Sequence, residues 1–237
     1  MSRLSPRREA WLAWCGPALA ALGLLTIAAA ALLPGLNDSP LARWILADTL
    51  APARILPLIG FGFALAMISA TAVMAALPFA TVGIAGALLL PDRLLALLDL
   101  IPKAATHLFF AGPISFLAIG AALVGSDRWR TWLTPPAALI VAAMAGLMVK
   151  LSDPSLHEPA YTWTPVLATI WIVAAVAMTL RAFQRPWFSI FARILGSWLL
   201  AIGLLYGGAS LMPPKPDLAP PPMPVPDVRP DIPQQQP

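Results

Sequence analysis

Residues 55 to 90, ILPLIGFGFALAMISATAVMAALPFATVGIAGALLL, run for thirty-six positions without a charged side chain. A helix needs about 20 apolar residues to cross the roughly 30 Å hydrocarbon core of a bilayer. The run is therefore too long for one crossing and short for two. The number of crossings it makes decides which side every later loop faces.

Five further runs, 11–33, 104–124, 131–149, 162–180 and 194–212, are each about one membrane thickness long and free of charge. Across the chain 59% of residues are apolar, 11% are charged and mean hydropathy is +0.79. Soluble domains carry roughly a quarter charged residues. The expectation is an all-α polytopic membrane protein, with one transmembrane domain over 11–212 between a short N-terminal segment, 1–10, and a tail, 213–237. The net charge of +4 does not imply a nucleic-acid partner, because Lys and Arg cluster at the ends of apolar runs, where positive charge orients helices. Twelve Arg against three Lys, with Asn37 the lone asparagine, favour a GC-rich genome and hence a bacterial inner membrane.

Loop charge sets the orientation. The connections holding Asp127, Arg128 and Arg130, and Arg181, Arg185 and Arg193, carry five Arg against one acid, which places them in the cytoplasm. The segments holding Asp92, Arg93, Asp99 and Lys103, and Lys150, Asp153 and Glu158, then lie outside. Arg3, Arg7 and Arg8 put the N-terminus inside, ahead of a first run whose length exceeds a signal h-region and reads as an uncleaved helix. The chain is thus outside both before residue 55 and after residue 90, and the run between must cross an even number of times.

Parity leaves two arrangements: a tight hairpin of short helices, 55–71 and 73–90, turning near Ser69-Ala70-Thr71, or a re-entrant loop. The hairpin is preferred and gives about seven transmembrane helices, N-in and C-out; a single crossing would give six, and a re-entrant loop five besides itself. Both legs carry helix-breaking residues, Pro57, Gly60 and Gly62 in the first and Pro78, Gly83 and Gly86 in the second. Such breaks build binding sites in transporters. Small residues more generally let membrane helices pack closely, and that reading is preferred. Gly196, Gly203 and Gly207 likewise fall on one face of the last run, with GxxxG between the latter two.

Two short pieces read as interfacial helices. Segment 40–50 has Ser39 as N-cap, Pro40 at the first helical position and Trp44 suited to the headgroup zone. In 92–102, Asp92, Ala96, Asp99 and Lys103 take one face, and Leu94, Leu95, Leu98 and Ile101 the other. The tail holds eleven prolines in twenty-five residues, which reads first as a solvated spacer and second as a ligand for an extracytoplasmic partner.

Chemistry-bearing residues are few. His107 sits inside an apolar run and His157 in an outer loop, and neither has a second ligand at helical spacing, so no metal or cofactor is expected. Ser69 and Ser115 are lone hydroxyls, expected to bond their own backbone. Asp153 and Glu158 have nothing to pair them, Cys15 has no disulfide partner, and no phosphate-binding glycine loop is present. The leading expectation is a non-catalytic accessory or assembly subunit of an inner-membrane complex, with the bilayer and other membrane subunits as partners. The alternative is a small transporter or channel for a neutral or weakly polar solute, using the interrupted hairpin 55–90.

Overall fold

The computed structural model describes residues 6–33, 39–99, 107–155 and 158–211. His157 and the tail 213–237 lie outside the described residues, as does the side chain of His107, the first residue of its helix. Every described element is a helix: α1 Pro6–Leu32, α2 Pro40–Thr49, α3 Pro52–Met67, α4 Ala70–Leu89, α5 Pro91–Leu98, α6 His107–Val124, α7 Asp127–Ser152, α8 Pro159–Ala182 and α9 Phe188–Leu211. Four of them, α4, α7, α8 and α9, are long and apolar enough to cross a membrane, and the bent pair α2–α3 makes a fifth if it is one span.

The long uncharged run is two helices, divided where the sequence places the turn. Ile68 is extended at φ −101° and ψ 162°, and Ser69 caps α4 by accepting from the Ala72 amide at 3.2 Å. The hydroxyl thereby satisfies one of the orphan donors at a helix start. The legs do not pack on each other. α3 lies along α8 and α6, whereas α4 lies along α7.

Glycine decides these neighbours, because absence of a side chain lets one backbone approach another. A Cβ at Gly60 would come within 2.8 Å of Leu199 and 3.4 Å of Ile119, and one at Gly62 within 2.8 Å of Val176. At Gly83 a Cβ would collide with the Leu139 carbonyl, and at Gly146 it would lie 2.8 Å from Ala87, so α4 and α7 run parallel in close contact. On α9, a Cβ at Gly196 would lie 2.8 Å from Leu123, one at Gly203 3.0 Å from Phe116 and one at Gly207 3.6 Å from Pro113. The stripe read from the sequence is thus filled by α6, running antiparallel. A Cβ at Gly86 would meet nothing within 4 Å. Pro78 is on the exposed side of α4.

Two arginines close helix ends at one end of the bundle. Arg130 donates from Nη2 to the carbonyls of Leu123 (3.2 Å) and Gly125 (3.3 Å), and from Nη1 to Asp127 (2.9 Å). Arg181 donates from Nη2 to the carbonyls of Leu65 (3.1 Å) and Ile68 (2.7 Å), and Gln184 reaches Ala66 O at 2.9 Å. The last carbonyls of a helix lack intrahelical partners and carry the negative end of its dipole. Charges that mark loops in the sequence therefore also cap α6 and α3. Trp129, Trp132, Trp163 and Trp187 are exposed near helix ends, whereas Trp198 is exposed at the middle of α9.

Over its described part α5 presents the faces its pattern predicts, with Leu94, Leu95 and Leu98 packed inward and Asp92, Ala96 and Asp99 exposed, while Ile101 and Lys103 lie outside the described residues. α2 is capped as expected, Ser39 Oγ accepting from the Ala42 amide at 3.1 Å. It leads into α3 through a bend of 61°.

Candidate functional site

The bend between α2 and α3 follows from one proline. Pro52 brings no N–H and disfavours helical geometry at the residue before it. Ala51 accordingly sits at φ −55° and ψ 128°, and α3 restarts with Pro52 at its first position. α2 ends at Leu50, whose amide still donates to Leu46 O at 3.1 Å.

Facing side chains bridge the bend. Arg54, buried at 3% exposure, pairs through Nη1 with Oδ2 of Asp48, whose side chain is 16% exposed. Its Nη2 approaches Thr169 Oγ1 on α8 at 3.4 Å. That hydroxyl donates to Pro165 O at 2.8 Å, leaving its lone pairs free to accept from the arginine. Two polar atoms nearby have no hydrogen-bond partner among the described residues: Arg54 Nε and Thr49 Oγ1.

The depth of the pair is set by α8. Trp44 on α2 donates from Nε1 to Ser152 O at 3.0 Å and meets the Tyr161 ring in a tilted contact at a centroid distance of 5.2 Å, which fixes the level of the α8 start. Thr169 lies eight residues further along that helix, about 12 Å at 1.5 Å per residue. The Asp48–Arg54 pair is therefore well inside the bundle, not at its rim.

Beside it opens a cavity of about 500 Å³ between α1, α2 and α8, walled mainly by aliphatic residues such as Ile27, Leu46, Ile55 and Ile172. Thr26, Thr49 and Thr164 are among its lining residues, with the Thr49 hydroxyl oxygen itself buried behind the wall. Thr26 donates to Gly23 O at 2.8 Å and so is already used. Trp171, also in the wall, donates to Leu19 O at 3.1 Å. Thr49, 7% exposed, keeps a hydroxyl unspent. The arrangement offers an apolar cavity, open on one side where Leu167 is exposed, with a neutralised ion pair and an unsatisfied Thr49 hydroxyl buried behind its wall.

The other residues considered from the sequence are not drawn to this place. Gly60, Gly62, Gly83, Gly196, Gly203 and Gly207 serve the helix contacts described above. Ser115 donates to Ala111 O at 2.7 Å, as a lone membrane hydroxyl is expected to. Ser69 instead accepts at the head of α4. Asp153 organises its loop by accepting from the amide and hydroxyl of Ser155 at 2.8 and 2.7 Å. Among the described residues no three His, Cys, Asp or Glu are grouped to hold a metal ion. Asp48 and Arg54 were missed because they flank the uncharged run and count as loop charges. The proline after Ala51 and the i, i+6 spacing of opposite charges were the available signals.

The sequence matches no family model, no curated protein and no solved structure, so the reading of the site rests on its own geometry.

Proposed function

We propose that this chain is a non-catalytic, multi-pass carrier or channel of a bacterial inner membrane, and that it binds a neutral or weakly polar solute at the α2–α3 bend. The observation that carries this reading is the buried Asp48–Arg54 pair, with an unsatisfied Thr49 hydroxyl near it, behind the wall of an apolar cavity. Ionisable groups inside a membrane bundle are costly, and broken helices that hold them characterise solute paths. The site lies one step before the Pro/Gly-interrupted hairpin. Because the charges cancel, the chamber favours a neutral solute over an ion.

Alternating helix directions support seven crossings, α1, α2–α3, α4, α6, α7, α8 and α9, with the arginine-capped end in the cytoplasm. The test is uptake of small neutral solutes, glycerol and urea, by vesicles reconstituted with the protein. Thr49→Val removes the hydroxyl at constant shape and Ala168→Phe fills the chamber. Both are expected to slow uptake, and unchanged uptake in both sinks the reading.

The accessory-subunit reading draws on a different surface. On the outer side of α4, Met74, Leu77, Phe79 and Val82 are exposed and Gly86 has open space above it, a face that admits a helix of another subunit. Crosslinking in native membranes distinguishes it: a partner captured on α4 supports it, and none counts against it.

A further inference from the structure

A second cavity, of about 400 Å³, lies where the two legs of the long uncharged run part, between α3, α4, α7 and α8. Its walls are aliphatic and aromatic, with Leu58 and Phe61 on one side and Val141 and Val173 on others. It opens laterally, since Leu77 and Ile170 at its edge are 46% and 56% exposed. Along α4 it extends from Val73 to Ile84, eleven residues or about 16 Å. That is about half the roughly 30 Å hydrocarbon core, the depth one lipid chain occupies in its leaflet.

One end of this cleft is charged. Arg181 lines it, half-buried, and no carboxylate among the described residues pairs with it. Its Nη2 is committed to Leu65 O and Ile68 O, which holds the guanidinium in place. A guanidinium carries five N–H donors, so others remain, in the fork geometry that suits phosphate oxygens. Arg185 follows four residues later and is exposed. A cation fixed at the end of an apolar slot of one-leaflet depth is complementary to an anionic amphiphile.

We propose that this cleft holds an acyl chain of an anionic phospholipid whose phosphate sits on Arg181. The inference is independent of the solute site at the α2–α3 bend. Arg181 and the apolar slot hold the lipid in the leaflet on the arginine-capped side, and the occupant fills the gap left because α3 and α4 do not pack together.

The test is native mass spectrometry and thermal unfolding of the full chain in detergent, with phosphatidylglycerol or phosphatidylcholine of identical acyl chains. Phosphatidylglycerol is expected to be retained about fivefold more tightly, the preference one arginine confers at an anionic lipid surface. Arg181→Gln should abolish that preference, and Ala80→Phe, which fills the slot without touching a hydrogen bond, should abolish retention. Should Arg181→Gln fail to fold because α3 loses its cap, the wild-type headgroup comparison and Ala80→Phe still decide. Equal retention of the two lipids by the wild type, full retention by Ala80→Phe, or equal stabilisation by inorganic phosphate would each overturn the proposal.

Discussion

Arg54 on α3 pairs with Asp48 on α2 across the bend of 61° that separates the two helices. The pair ties the halves of a broken helix together and presents Arg54 Nη2 to Thr169 on α8. Removing one partner leaves the other charge buried and uncompensated, at a cost of about 3–5 kcal/mol. Replacing both by apolar residues of similar size removes that penalty. Asp48→Asn and Arg54→Met alone are therefore expected to lower the unfolding midpoint in detergent strongly. The double variant Asp48→Leu/Arg54→Met should recover much of the stability yet remain slow in vesicle uptake. If the double variant transports normally, the pair serves folding alone.

Gly83 and Gly86 lie one turn apart on α4 but meet different surroundings. Gly83 abuts the Leu139 carbonyl, whereas Gly86 has open space. Gly83→Leu forces α4 away from α7 and should destabilise by about 1–3 kcal/mol or more, the range for overpacking. Gly86→Leu should change the unfolding midpoint little. Equal effects of the two would show that α4 does not pack on α7 as described.

Arg130 satisfies Leu123 O and Gly125 O while bound to Asp127. Arg130→Gln leaves at least one of these buried carbonyls without its partner, at about 1–3 kcal/mol. Arg130→Lys is expected to rescue poorly, since an ammonium is a point charge and does not reproduce the fork. Full rescue by lysine, read from thermal unfolding, would mean that charge alone matters there.

The proposed seven-crossing arrangement would put the segment after α9 outside the cytoplasm. A reporter active only in the cytoplasm, fused after Met212, should be silent, while the same reporter in the connection between α8 and α9 should be active. Activity at Met212 would break the parity on which the topology stands.

The sequence by itself determined the class of protein, the positions of the apolar helices and the turn at Ser69. These follow from each residue's own transfer cost and from local cap and proline chemistry, which act over a few positions. It determined the faces of α5 for the same reason. Only the tertiary structure decided that Asp48 and Arg54 are interior charges, that Arg181 caps α3, and that the legs of the uncharged run separate around a cleft. Arg181 and Ile68 are 113 positions apart, and Arg54 and Thr169 are 115 apart. Hydropathy counts such charges as loop residues, because the partners that make their burial affordable come from other helices. The glycines show the same limit: Gly60, Gly83 and Gly86 look alike in sequence, and only the neighbouring backbone distinguishes a close contact from open space.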